Sequence, residues 1–148
     1  MNTLGRKKLK SLSIIWLFIF SLSCSTISTA PYDEEIYQEC QALQKEVNLF
    51  LDEIPSKGKP KKLKKGDIQF YSTFETGINQ VLDKAKIYKN NEESILAIIT
   101  INDTFEKMKE LHLKSGISQA NKILFKKHFS HQFKSLLDIE RFKREKQI

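Results

Sequence analysis

Residues 118–146 read SQANKILFKKHFSHQFKSLLDIERFKREK, and this stretch decides the fold class. Its large apolar side chains recur at steps of three and four residues, which is the period of a helix with one buried face. Ser118 precedes the pattern as the expected N-cap, and neither glycine nor proline interrupts it. The segment therefore predicts a long helix, to about Lys146. Its expected inner face carries Phe125, Phe129, Phe133, Leu136 and Ile139.

Two more helices are predicted nearer the N-terminus. Acidic residues at 33–35 favour the start of the first, and Pro55 ends it. Asp67 is the expected N-cap of the second. Between them, residues 56–66 read SKGKPKKLKKG, with six lysines, two glycines and a proline. This composition indicates a loop.

A further helix is expected to start at Asn91 and to end at Gly116. The β-branched stretch 95–101 is also compatible with a strand, and Asp103 could restart the helix with a capping box. Four amphipathic helices with short connections predict an all-α, up-down-up-down bundle. The expected inner positions of this third helix are Ile95, Ile98, Ile99, Phe105, Met108 and Leu111.

The N-terminus has the pattern of an export signal. Four basic residues lie within positions 6–10, and an apolar run follows from 12 to 22. The run is too short to be a permanent spanning helix, which needs about 20 apolar residues. It ends at Ser23-Cys24. A small residue before a cysteine at this place resembles the signal peptides of bacterial lipoproteins, and Ser21 makes it similar to the looser, spirochaetal-type form.

This resemblance implies a signal peptide over 1–23, a lipidated tether over 24–32 that begins at Cys24, and a helical domain over 33–148. A plain secretory signal with an incidental cysteine is the alternative. Removal of residues 1–23 takes away four basic and no acidic side chains, which lowers the net charge from +7 to +3. The body resembles small, lysine-rich surface lipoproteins of spirochaetes in general character. The expected location is a bacterial cell envelope, at the outer membrane and cell surface or on the periplasmic face.

No constellation of residues predicts an enzyme or a cofactor. His128 and His131 are three residues apart, but they fall off the inner face of their helix, and His112 is expected too far away to join them. Surface histidines are the expectation, and a metal-binding bundle is the less favoured reading. Cys40 lies on an inner stripe, which indicates a buried, inert thiol. No two carboxylates share an inward stripe, as acid–base catalysis in a bundle would require.

Two clusters of basic residues are candidate interaction sites. The loop lysines form a dense positive patch suited to an acidic partner, although a solvated connection is the simpler interpretation. Aromatic residues do not interleave with them, so specific nucleic-acid binding is not expected. The C-terminal cluster, Arg141, Lys143, Arg144 and Lys146, is predicted to orient the body on an anionic membrane. The loop cluster comprises Lys57, Lys59, Lys61, Lys62, Lys64 and Lys65.

Together these patterns predict a non-catalytic, lipid-anchored binding module of the cell envelope. The alternative is a periplasmic lipoprotein with an assembly, exclusion or immunity role that contacts another membrane protein. The sequence does not identify the partner or the oligomeric state.

Overall fold

The computed structural model describes residues 29–147, and the predicted signal peptide and Cys24 lie outside this range. The described chain forms four helices, which confirms the all-α prediction: α1 (Glu34–Asp52), α2 (Lys65–Ile87), α3 (Glu92–Lys114) and α4 (Gln119–Glu145). No strand is present between residues 29 and 147, and the stretch 95–101 is helical.

The helices form a closed ring in which α1 packs on α2, α2 on α3, α3 on α4, and α4 on α1. Because the connections are short, neighbouring helices run antiparallel, as predicted for a four-helix bundle. We call the end that holds residues 53–64 and 115–118 the tip. We call the end that holds residues 29–33, 88–91 and 146–147 the base.

Side-chain caps set two helix starts: Ser118 caps α4 as expected, and Asp33, from the acidic run predicted at the start of α1, caps that helix. A carboxylate oxygen of Asp33 accepts hydrogen bonds from the backbone N–H groups of Glu35 and Ile36. The hydroxyl oxygen of Ser118 accepts one from Asn121. Both acceptors satisfy N–H groups that the first turn of a helix leaves without an internal partner.

The predicted N-cap of α2 is wrong by three residues. The helix begins at Lys65, with Lys64 as N-cap, and Asp67 occupies the third helical position. From there its carboxylate accepts a hydrogen bond of 2.8 Å from the backbone N–H of Lys64, which is the return half of a capping box. Lys65 therefore belongs to α2 and not to the loop.

α3 runs without a break past Asp103, so the alternative of a restart there is wrong. Thr100 and Thr104 each donate a hydroxyl hydrogen bond to the carbonyl four residues before it, which accommodates both side chains within the helix. The inner face of α3 differs from the prediction at three positions, of which Ile95 and Leu111 are half-buried. Ile99 is exposed, and Ile101 is buried in its place.

Stacked aromatic rings fill the centre of the bundle. Phe74 and Phe105 lie 4.2 Å apart and nearly parallel, and Phe129 packs beside Phe74. Phe125, Phe133 and Leu136 are buried as predicted, whereas Ile139 is only half-buried. The helices thus share one core.

Backbone pairing ties the lysine-rich loop to the α3–α4 turn. The N–H of Lys61 donates to the carbonyl of Ile117 at 3.0 Å, and the reverse bond is 2.9 Å. Gly116 allows this approach because it adopts a positive φ of +84°. A Cβ atom there would lie 2.6 Å from the Lys61 carbonyl oxygen, so only glycine fits.

The last residues of the predicted tether belong to the folded body. Ala30 is buried, and its N–H donates a hydrogen bond of 3.1 Å to the carbonyl of Asn90 in the α2–α3 turn. Tyr32 lies under the guanidinium of Arg144. This differs from the expectation that the whole of 24–32 is a flexible tether, because residues 29–32 lie against the base.

Candidate functional site

Charge is divided unevenly between the two ends of the bundle. Counting Lys, Arg, Asp and Glu, the half nearer the tip (residues 44–76 and 104–132) carries thirteen basic and seven acidic side chains. The half nearer the base (residues 29–43, 77–103 and 133–147) carries eight basic and eleven acidic ones. The tip half is therefore +6 and the base half −3, although the described chain as a whole carries only +3.

Five of the six predicted loop lysines are exposed at the tip: Lys57, Lys59, Lys62, Lys64 and Lys65. The structure brings them together on one end of the molecule, as the sequence suggested. Lys61 differs, because its side chain is only 10% exposed.

Lys61 holds the loop in place instead of presenting a charge to solvent. Its ammonium group lies 3.0 Å from a carboxylate oxygen of Asp67 and 3.4 Å from one of Glu53. It also lies 4.9 Å from the centre of the Phe50 ring. A lysine with these contacts is already satisfied. The prediction that Lys61 is a binding residue is therefore wrong for its side chain, which has a structural role.

The Asp67 carboxylate links this loop to the core. Burial of the carboxylate alone would raise its pKa, but the hydrogen bond from the Lys64 N–H and the ammonium group of Lys61 reverse the effect, and the pKa lies below its ordinary value. Asp67 therefore carries its negative charge inside the tip. The sequence assigned Asp67 only a capping role.

His112 is the third member of this tip cluster, and the prediction that it lies on the surface is wrong. Its side chain is fully buried; Nδ1 is hydrogen-bonded to the Tyr71 hydroxyl at 2.9 Å, and Nε2 lies 4.0 Å from Asp67. Nε2 has no hydrogen-bond partner within residues 29–147. Helical spacing was the sequence signal that could have identified His112 as buried, because His112 lies four residues after the inward Met108.

Burial lowers the pKa of His112 below the ordinary 6.5, and the nearby Lys61 ammonium lowers it further, while Asp67 acts in the opposite direction. The unfolded chain therefore takes up a proton at a higher pH than the folded one. His112 contributes stability that is complete above its unfolded pKa and is lost as the pH falls below it.

We therefore expect the native protein to lose more stability between about pH 7.5 and about pH 5.5 than a His112→Gln variant does. Urea unfolding at the two pH values measures the difference. His128→Gln is the matched control, because His128 is exposed, and it should keep the native pH dependence. Equal pH dependence in all three proteins would contradict the assignment.

The other two histidines do not form a site. His128 and His131 are exposed on α4, as predicted, and Asp103 is exposed on α3. Among residues 29–147, no group of three or more His, Cys, Asp or Glu side chains is placed to hold a metal ion. Cys40 and Met108 are fully buried, as predicted, and burial raises the pKa of the Cys40 thiol to about 12.

A second buried polar cluster lies near the base. The ammonium group of Lys143 donates hydrogen bonds to Glu140 and Ser94, each at 2.7 Å, and to Asn91. The Ser94 hydroxyl donates to the same Glu140 oxygen at 2.6 Å. One prediction is wrong here, because Lys143 is buried and cannot face a membrane. Glu140 is a single buried carboxylate on the inward face of α4.

The other three basic residues of the C-terminal cluster are exposed, but each also contacts a side chain of the same molecule. Arg141 forms an ion pair of 3.0 Å with Asp138, Arg144 lies over Tyr32, and Lys146 lies over Phe142. They belong to the half of the bundle with net charge −3. The expected electrostatic attraction of this end to an anionic membrane is therefore weaker than the basic residues alone suggest.

Comparison of the chain with protein-family models, with curated proteins and with solved structures finds no match of any of the three kinds. In the part of the chain that the structure describes, no helix combines the length and the apolar character needed to cross a bilayer. The feature that distinguishes the molecule is a basic tip built on a buried Lys61–Asp67 pair.

Proposed function

We propose that this protein is a non-catalytic interaction module of a bacterial cell envelope, lipid-anchored through Cys24, that binds an acidic partner at its tip. The observation that carries the proposal is the separation of charge along the bundle, with five exposed lysines at one end. The described chain begins at the opposite end, five residues after Cys24.

The length of the bundle supports separate roles for the two ends. α1 has 19 residues, which at about 1.5 Å per residue spans roughly 28 Å from base to tip. At physiological salt, charges are screened over about 8 Å. An anchor near the base would therefore leave the tip lysines free of the field of the bilayer and available to a partner.

The experiment that tests tip binding is retention on heparin, a soluble polyanion. Replacing Lys57, Lys59, Lys62 and Lys64 with glutamine should weaken binding by about tenfold or more, because affinity for a polyanion depends on how many cations engage it. These four side chains are exposed, so the thermal unfolding midpoint should stay unchanged.

The matched control replaces Arg141, Arg144 and Lys146, which are exposed near the base. This variant should bind heparin as the native protein does. Equal losses of heparin binding in both variants would mean that binding depends on total charge. No loss in the loop-lysine variant would mean that these lysines only form a solvent-exposed connection between helices. Either result overturns the tip assignment.

The anchor is tested separately with Cys24→Ala. We expect this variant to leave the membrane fraction, because lipidation by two or more acyl chains gives stable attachment. The mass of the native N-terminus should show a lipidated Cys24. A Cys24→Ala protein that remains fully membrane-bound and unprocessed would overturn lipid anchoring without affecting the heparin result.

A further inference from the structure

A groove runs between α3 and α4 and opens at the base of the bundle. Two adjoining cavities form it, of about 480 Å³ and about 260 Å³, and Glu93 and Ile139 line both of them. The larger cavity reaches Thr100 and Gln132. The smaller one reaches Thr29, where the described chain begins. The groove therefore continues from the base to near the middle of the bundle.

The floor of the groove is apolar. Leu96 and Phe142 line it with 65% and 51% of their surfaces exposed, and the half-buried Ala97 and Ile139 lie beside them. Large apolar side chains exposed together in one concave surface indicate an interaction site. Between Gln132 and Phe142 the axis of α4 rises roughly 15 Å, which is the length of about three helical turns.

The charges that line the groove favour a cationic ligand. Glu92 and Glu93 are exposed at its base end. They lie in the first turn of α3, where the helix dipole sets only about half a positive charge against them. Lys143 also lines the groove, but its ammonium group is buried and paired with the Glu140 carboxylate. The half of the bundle nearer the base has a net charge of −3.

Lys146 is an opposing charge at the base end of the groove. Its ammonium group lies 4.4 Å from the centre of the Phe142 ring. Lys146 is exposed, so a ligand that packs on Phe142 can displace it at little cost. Two exposed carboxylates against one ammonium group leave the groove negative even with Lys146 in place.

We propose that this groove binds a basic amphipathic helix, of about three turns, that belongs to a partner protein. Apolar side chains on one face of that helix pack on Leu96, Ile139 and Phe142. Its Lys or Arg side chains meet Glu92 and Glu93. The inference goes beyond the proposed tip function and does not depend on it, because it assigns a ligand of opposite charge to the opposite half of the molecule.

The test measures binding of three labelled peptides to the native chain by fluorescence anisotropy. The first consists of Lys and Leu, with the leucines on one helical face. The second has the same composition with the leucines spread around the helix, and the third keeps the pattern of the first with Gln in place of Lys. The first should bind about tenfold more tightly than the second, which corresponds to the burial of one aliphatic side chain. It should also bind more tightly than the third, because the groove carboxylates attract its charges.

Single replacements in the groove separate the apolar and the electrostatic parts of this binding. Leu96→Gln should remove the advantage of the patterned peptide, and Leu113→Gln, which changes a leucine of similar exposure outside the groove, should retain it. Glu93→Gln should reduce the advantage of Lys over Gln, whereas Glu145→Gln makes the same change at an exposed position outside the groove and should not. Lys146→Gln should tighten binding of the Lys/Leu peptide.

The other occupants of the groove give different results. Equal binding of the two Lys/Leu peptides, or equal effects of Leu96→Gln and Leu113→Gln, would overturn the proposal. A native chain that is dimeric in analytical ultracentrifugation, and that Leu96→Gln makes monomeric, would assign the groove to a second copy. If the peptide shifts the fluorescence of Trp16, the one tryptophan of the chain, the apolar run 12–22 occupies the groove. Both of these results overturn the partner assignment, and neither changes heparin retention by the tip.

Discussion

Replacing Phe129 with alanine is expected to lower the free energy of unfolding by about 3–5 kcal/mol. The side chain is fully buried, and it packs beside Phe74 of α2 and between Phe125 and Phe133 of α4. Truncation removes the apolar area that the ring buries and leaves a cavity that the neighbouring rings fill only in part. Since a domain of this size is stabilised by about 5–15 kcal/mol, the loss is a large share of the total.

Urea unfolding followed by circular dichroism measures this change. The control is His131→Ala on the same helix, where the side chain is exposed and the expected change is within about 0.5 kcal/mol. A loss below about 1 kcal/mol for Phe129→Ala would place the ring outside the core, which would contradict the phase of α4 on which the packing depends.

The second large effect is expected at the buried ion pair near the base. Lys143→Ala should cost about 3–5 kcal/mol, because it leaves the Glu140 carboxylate in the interior without its cation. One oxygen of Glu140 already lacks a hydrogen-bond partner among residues 29–147. Removal of the ammonium group would also take a donor from Asn91 and Ser94.

A double replacement tests this explanation. Glu140→Leu together with Lys143→Met should recover most of the stability, since apolar residues of similar volume often replace a buried ion pair at no net cost. Lys146→Ala, one turn later and exposed, is the matched single control. If Lys143→Ala costs no more than Lys146→Ala, the Lys143–Glu140 pair is not buried in solution.

Hydrophobic spacing was sufficient to predict the architecture. The steps of three and four residues in α4 place Phe125, Phe129 and Phe133 in the core, where they are found. The same spacing continues through Leu136 to positions 140 and 143, which are also buried. Ile139, which was predicted on the inner face, lies one residue before this phase and is only half-buried. Helical phase, and not residue type, decided which side chains of α4 point inward.

The buried charges of the tip could not be recognised from the sequence in the same way. Lys61 stands in a run of lysines that all have the same local character, and its partners come from other elements: Asp67 from α2 and Ile117 from the α3–α4 turn. Pairing of this kind depends on tertiary contacts that local patterns do not contain. The other five loop lysines are exposed, and composition alone makes them a positive patch. Their binding role stays a prediction.

The separation of charge along the bundle would also affect how the proposed acidic partner arrives. A molecule that is +6 in one half and −3 in the other has a large electric dipole moment along its axis. In the field of an acidic target it turns its tip forward before the surfaces touch, and this reorientation raises the association rate constant. Added salt would therefore slow association much more than it shortens the lifetime of the complex.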